Sequence, residues 1–336
     1  MSKEISVVVP IYYEEDNIFP LHKRLKGILK EEMGLDYEII FVNDGSTDNS
    51  VFNITKVMQQ DSNVKLIDFS RNFGHQIAVT AGIDHSSGKT VVLIDADLQD
   101  PPELIKEMYQ RYKQGYDVVY AKRKKRNGES LFKKITANLF YRTLDNITDV
   151  DIPLDTGDFR LMSRRIVDNL KQMPENNKFI RGLVAWAGFK QTAIEYERNE
   201  RYSGETGYSL WKMIKFSLDG ITSFSTIPLK LASIIGAITS GFSFIYILYI
   251  IYLKLFTDIT ISGWSSAMVS NLFIGGIILL TLGVMGEYVG RIFTESKRRP
   301  LYIIKDKRGF KDGEEEIHKI YDKSDVGHRN NSVHGI

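Results

Sequence analysis

The first part of the chain alternates short apolar runs with longer stretches in which apolar residues recur at helical spacing. The runs Ile5–Val9, Tyr37–Val42, Val64–Phe69, Val91–Ile94 and Val118–Tyr120 predict strands, and the first and central ones read as buried on both faces. Ile18, Leu21, Leu25, Ile28 and Leu29 mark a helix over Ile18–Lys30, and further helices are expected over Val51–Gln60 and Gln76–Ser86. Pro10 closes the first strand, and Gly34 and Gly88 punctuate helix ends. Pro101-Pro102-Glu103 stops the central strand and opens another helix with a negative charge in its first turn. Strand and helix alternate, so the predicted fold is α/β, a mostly parallel sheet with helices on both faces.

The C-terminal third breaks this pattern. From Leu229 to Phe256 the only charged residues are Lys230 and Lys254, and from Ala267 to Val284 there is none. Segments of about 20 apolar residues span a bilayer. Tyr246, Tyr249, Tyr252 and Trp264 lie toward the Asp258 end, where interface aromatics belong, and Lys212, Lys215, Arg291, Lys297, Arg298 and Arg299 flank the pair. This charge asymmetry predicts a two-helix transmembrane hairpin with both flanks in the cytoplasm. The expected organisation is a globular domain over 1–228, the hairpin over 229–292, and a cytoplasmic tail over 293–336 whose polar end is partly disordered. Gly236, Gly275, Gly276, Gly283 and Gly286 allow close helix contacts and suggest a homo-oligomer.

Composition narrows the chemistry. The 336 residues carry a net charge of +2, so no strong field points to nucleic acid. There is no cysteine, which removes disulfides and thiolate metal sites, and the six histidines form no His-x-x-x-His spacing. No G-x-G-x-x-G or Walker-type loop follows the first strand. Met1-Ser2-Lys3-Glu4 leads straight into a strand without the apolar core of a signal peptide, so the globular part is expected in the cytosol.

Ligands of such sheets bind at the carboxyl ends of the strands. Asp44 stands at one such end, in Asn43-Asp44-Gly45-Ser46-Thr47-Asp48. Asp95 and Asp97 stand at another, in Val91-Val92-Leu93-Ile94-Asp95-Ala96-Asp97-Leu98-Gln99-Asp100. In an extended chain residues i and i+2 share a side, so both carboxylates can face one pocket and Gln99 continues the alternation. Oxygen ligands of this kind suit Mg²⁺ or Mn²⁺. The plain alternative is a solvated turn after a strand. Farther on, Lys122-Arg123-Lys124-Lys125-Arg126 precedes a helix in which Leu131, Ile135 and Leu139 recur every four residues, with Lys133, Lys134 and Arg142 on the other side. That helix either packs on the domain or lies on a membrane surface with its cations toward lipid headgroups.

Together these residues resemble the membrane-bound polyprenyl-phosphate glycosyltransferases of family 2, which have the GT-A (Rossmann-like) fold. They include bactoprenol glucosyltransferases and dolichol-phosphate mannose synthases. The resemblance runs from Ile5 to Arg299 and is carried by Val8-Val9-Pro10-Ile11-Tyr12-Tyr13-Glu14-Glu15, by the Asp44 and Asp95–Pro102 segments, by Thr156-Gly157-Asp158-Phe159-Arg160-Leu161, by Arg198–Gly204 and by the hairpin. Tyr13 departs from the asparagine of many relatives. The resemblance implies that Pro10, Tyr12, Glu14 and Asp44 hold the nucleotide. Asp95, Asp97 and Gln99 would bind the divalent ion and with it the pyrophosphate. Arg201 could clamp a phosphate, or be a solvated loop charge. Arg123 and Lys134 would receive the acceptor lipid's phosphate.

Asp158 is the family's usual candidate for catalytic base, with Asp97 as its catalytic companion. A phosphate monoester has a second pKa of about 6, so the acceptor is already mostly ionised near pH 7 and Asp158's role stays open. The expected activity is inverting transfer of a sugar, glucose first, from a UDP-sugar to undecaprenyl phosphate. It would take place at the cytoplasmic face of the inner (plasma) membrane, in a multi-pass protein. UDP-N-acetylglucosamine or GDP-mannose are the alternative donors. A lipid-carrier translocator or a silent scaffold is the alternative class. No Gln-x-x-Arg-Trp motif of processive synthases is found.

Overall fold

The computed structural model describes residues 3–124, 156–176, 178–197, 227–256 and 263–310. Lys134, Arg201, the helix expected over Leu131–Leu144, the 257–262 connection and the tail beyond 310 lie outside them.

Eight strands form one sheet in the order β7-β5-β6-β4-β1-β2-β3-β8: β1 Ile5–Ile11, β2 Tyr37–Asn43, β3 Val64–Phe69, β4 Thr90–Leu93, β5 Val118–Arg123, β6 Thr156–Ser163, β7 Gln191–Tyr196 and β8 Ile304–Arg308. Pairings β1–β2, β1–β4, β2–β3 and β5–β7 are parallel; β6 runs antiparallel to both β4 and β5, and β8 antiparallel to β3. The sheet is therefore mostly parallel, as the alternation of elements predicts. The helices are α1 Ile18–Lys26, continued by a wider π turn over Gly27–Glu32, α2 Ser50–Gln60, α3 His75–Asp84, α4 Leu104–Lys113, α5 Arg164–Gln172, α6 Ile180–Trp186, α7 Ile227–Phe256 and α8 Trp264–Ser296.

Strand alternation explains why both faces are dry. Val7 and Val9 of β1, Ile39 and Phe41 of β2, and Val92 pack with Leu21 and Leu25 of α1, Ile54 of α2 and Ile105 of α4. Val8, Ile40, Val42, Val91 and Leu93 point the other way, into a second core with Val79 of α3, Ile166 of α5 and Leu183 of α6. A period of two carrying apolar residues on both faces reads in sequence as an unbroken run.

Helices α7 and α8 pack on each other, and each contains a stretch long and apolar enough to cross a membrane, Ile227–Leu253 and Val269–Ser296. Assigning 293–336 to a tail needs correction. Helix α8 continues to Ser296, and the chain then returns to the globular domain. Tyr302 stacks on Phe69 with ring centroids 5.2 Å apart, and Ile304–Arg308 extends the sheet as β8. The end of α8 also touches the domain directly: Glu295 accepts the backbone N–H (2.9 Å) and side-chain amide (2.7 Å) of Asn176.

At the edge of the sheet remote from the β4 acidic turn, Glu38 is fully buried. It accepts hydrogen bonds from Ser6 and Ser87 and meets the Lys65 ammonium at 2.7 Å. Burial works against its charge, but Lys65, Ser6 and Ser87 outweigh it and hold the carboxyl below its ordinary range. A lowered folded pKa contributes stability above the unfolded value of about 4.3 and loses it as pH falls through the folded value. Lys65→Met should therefore cost about 3–5 kcal/mol at pH 7, the effect of stranding one buried partner. The deficit should shrink as acid protonates Glu38. Denaturant titrations of both proteins at pH 7 and in the acid range check this, and a deficit that ignores pH would contradict it.

Candidate active site

The parallel strands bring their carboxyl ends to one edge of the sheet, and the antiparallel β6 brings its beginning there. Leu93 of β4 pairs with Arg160 of β6. That pairing brings the start of β6, with Asp158, alongside the stretch that follows β4.

Asp44, just past β2, is buried, and its carboxylate accepts the backbone N–H groups of Phe73 (2.7 Å) and Gly74 (3.0 Å). Burial raises its proton affinity, opposed by those two hydrogen bonds and by His75 and Arg71. The junction requires Gly45, whose φ is +74° and where a Cβ would lie 2.4 Å from the carbonyl carbon of Arg71. Pro10 is buried on β1, whereas Tyr12 and Tyr13 are about half exposed and meet edge to face at 4.6 Å. Tyr13 has φ +56°, a region asparagine tolerates better, and it is held there by hydrogen bonds to Ser46 and Thr47. Glu14 accepts from the side chain of Asn17 at 2.5 Å.

The acidic stretch differs from the extended chain expected for it. Strand β4 stops at Leu93, Ala96 and Asp97 lie in a turn, and Leu98 takes φ +58°. Asp97 Oδ1 accepts the Gln99 N–H at 3.1 Å, closing the turn. Alternation through 95, 97 and 99 is therefore not what arranges these groups; a left-handed residue is, at a strain cost of about 1–3 kcal/mol. Asp97 and Asp100 are buried, Asp95 partly so. Asp100 accepts from the hydroxyl of Tyr196 at the end of β7, and Arg123 Nε donates to that same hydroxyl at 3.3 Å. Arg123 thus sits against Gly157 and the acidic turn.

Asp158 carries the densest set of partners. Arg181 Nε donates to Oδ1 at 2.7 Å, while His75 Nε2 and Gln76 Nε2 stand 3.0 Å from Oδ2. His75 also lies 3.6 Å from Asp95 Oδ1. Burial disfavours a charged His75, but the bond to Asp158 and the fields of Asp95 and Asp158 prevail and push its pKa up to about 9. Burial likewise opposes ionisation of Asp158, yet Arg181 and His75 hold it well below the usual carboxylate range. Asp95 goes the other way: burial raises it to about 6, His75 resisting while Asp158, Asp100 and Asp97 add to the rise.

Among the described residues no group of three or more histidine, aspartate or glutamate side chains stands ready to cage a metal. Asp95 and Asp97 nevertheless fit a hard divalent cation, which needs only one or two carboxylates when substrate phosphates complete its shell. Two buried or partly buried carboxylates two residues apart are the kind of crowded negative charge such an ion offsets. His75, Gln76 and Arg181 are absent from the site predicted by sequence. The first two open α3 directly after β3, at a strand carboxyl end, and that topological position was the available signal. Arg181 reaches the site through the packing of α6, which no local pattern announces.

Known proteins agree with this architecture. Residues 6–171 match the family described as Glycosyl transferase family 2. The chain is 57% identical to the uncharacterized glycosyltransferase YkcC of Bacillus subtilis (strain 168), over 92% of this chain and 96% of that one. It is 41% identical to the prophage bactoprenol glucosyl transferase homolog of Escherichia coli (strain K12), over 90% and 98%. It is also 41% identical to the bactoprenol glucosyl transferase of Shigella phage SfV, over 91% and 99%. The sheet is of the GT-A type that the resemblance implies, and the chain belongs to glycosyl transferase family 2.

Proposed function

We propose that this glycosyltransferase moves a sugar, glucose first, from a UDP-sugar to a polyprenyl phosphate at the cytoplasmic face of a membrane. The observation that carries the reading is identity of about 41% with bactoprenol glucosyl transferases over nine-tenths of the chain, hairpin included. Two helices able to cross a membrane, tied to the domain through Glu295 and β8, support an acceptor that is itself a lipid.

In this reading the acceptor phosphate oxygen attacks the anomeric carbon from the side opposite the diphosphate. The bond to the diphosphate breaks, UDP leaves with the electron pair, and the anomeric configuration inverts. Asp44 and the Pro10–Glu14 segment, with Tyr12, hold the nucleoside. Asp95 and Asp97, with Gln99 beside them, would hold Mg²⁺ or Mn²⁺, which when bound offsets charge on the departing diphosphate. Arg123, bonded to Tyr196 and set against Gly157, receives the acceptor phosphate. Lys134 and Arg201 are further candidates for phosphate contact.

The direct test incubates purified full-length protein with labelled UDP-glucose, UDP-N-acetylglucosamine or GDP-mannose, undecaprenyl phosphate and Mg²⁺ or Mn²⁺. A labelled lipid should form from UDP-glucose, and Asp97→Asn should abolish it. Undiminished rates in Asp97→Asn and in chelator-treated wild type would refute the metal assignment.

Arg123→Ala should weaken productive use of the lipid by about 1.5–3 kcal/mol, the worth of a charged hydrogen bond, with calorimetric UDP affinity nearly unchanged. Equal losses for donor and lipid would instead place Arg123 on the pyrophosphate side.

Orientation is open to labelling, because the native chain has no cysteine. A Ser262→Cys variant should react with an impermeant maleimide only from outside. Labelling from the cytoplasmic side alone would overturn the hairpin.

A further inference from the structure

Asp158 is gripped from two elements that are also bonded to each other. From α6, Arg181 donates from Nε to Oδ1 and from Nη1 to the carbonyl of Thr156 at 2.8 Å. From α3, His75 and Gln76 both face Oδ2, and Gln76 Oε1 accepts the backbone N–H of Ile180, the residue before Arg181. On its own strand, Arg160 is buried and donates to the carbonyls of Asp158 (3.3 Å) and Gly157 (3.1 Å). A carboxylate offers about four acceptor positions. Three of those on Asp158 face ring, amide and guanidinium nitrogens, which fix both of its oxygens and leave about one position open.

The chain of contacts continues outward. His75 bridges Asp158 and Asp95, so Arg181, Asp158, His75 and Asp95 form a continuous row of contacts from α6 across β6 and α3 to the acidic turn. We propose that Arg181 is a positioning residue for sugar transfer: it locks Asp158 as a fixed anion, and through His75 sets Asp95, so that Asp158 organises the site and does not accept a proton. This deepens the transferase reading above and rests on it. It also agrees with the acceptor chemistry, since a phosphate monoester already ionised at neutral pH needs no base.

Kinetics of full-length Arg181→Gln, Arg181→Lys, Asp158→Asn and the double variant Arg181→Gln/Asp158→Asn separate this role from the alternatives. Using UDP-glucose and undecaprenyl phosphate, Arg181→Gln should lower kcat about a hundredfold, the scale of a small misplacement of reacting groups. KM for either substrate should move little. The double variant should be no slower than Asp158→Asn, because residues acting as a unit do not add. Arg181→Lys restores a cation beside Asp158 and should recover most of the loss, which a fold defect would not allow.

The pH profile gives the opposing outcome. The groups facing Asp158 are His75 and Gln76 from α3, Arg181 from α6, Arg160 from its own strand, and Asp95 beyond His75. A base that lost its arginine would bind its proton more tightly. Arg181→Gln would then reach the wild-type rate at alkaline pH, with its acid limb shifted upward. That result, multiplying losses in the double variant, or a change in KM alone would each overturn the proposal. Absence of product from wild type with UDP-glucose, but turnover with another donor of the screen, would fault the donor assignment only. The variant-to-wild-type ratios would then be read with that donor.

Discussion

Negative charge crowded onto one edge of a dry sheet is the constraint under which the rest of the site is built. At an effective dielectric constant of about 20, two like charges 4 Å apart repel by about 4 kcal/mol. Four of the carboxylates at this edge therefore have hydrogen-bonded compensation of their own. Asp44 takes two backbone N–H groups, Asp97 takes the N–H of Gln99, Asp100 takes the hydroxyl of Tyr196, and Asp158 takes Arg181, His75 and Gln76. Every one of these bonds except that of Asp97 also joins two elements: β2 to the start of α3, the acidic turn to β7, β6 to α3 and α6. The electrostatics of the edge is thereby its mechanical frame as well.

The antiparallel β6 makes that frame possible. In a wholly parallel sheet only residues that follow a strand reach the carboxyl edge. A strand running the other way contributes its opening residues instead, and here these are Thr156, Gly157 and Asp158. Lying between β4 and β5, β6 sets Asp158 within reach of His75 and, through it, Asp95, while its Gly157 lies against Arg123. Gly157 faces Arg123 so closely that a Cβ there would lie 3.0 Å from its guanidinium.

Elements buried on both faces were the legible ones. Strand β3 was read at its observed limits, and β1, β2 and β4 within a residue or so, because unbroken valine and isoleucine runs have few other meanings. Strand β6 is wholly buried too, but it interleaves Asp158 and Arg160 with Phe159 and Leu161, and the polar members hid its apolar alternation. Strand β8, Ile304-Lys305-Asp306-Lys307-Arg308, is a charged edge, which protects a sheet from pairing with other chains and in sequence looks like a tail. At the site, the acidic residues could be named from strand ends and resemblance. Their geometry could not, because it turns on a left-handed Leu98 that no propensity favours. Buried partners such as Arg181 and Tyr196 become visible only when α6 and β7 are packed.

The same packing couples the hairpin to the chemistry. Helix α8 ends with Glu295 bonded to Asn176, on the segment that leads into α6 and so to Arg181. Beyond α8 the chain is pinned again, by Tyr302 on Phe69, by its hydroxyl on Asp84 at the end of α3, and by β8 on β3. Both helices that hold Asp158 are thus attached near the point where the hairpin joins the domain: α6 through Asn176, and α3 through Asp84. A linker of unattached residues would let the domain wander relative to the hairpin. Two attachments on either side of Ser296 instead bond the end of α8 and the residues that follow it to the elements around the Asp158 edge.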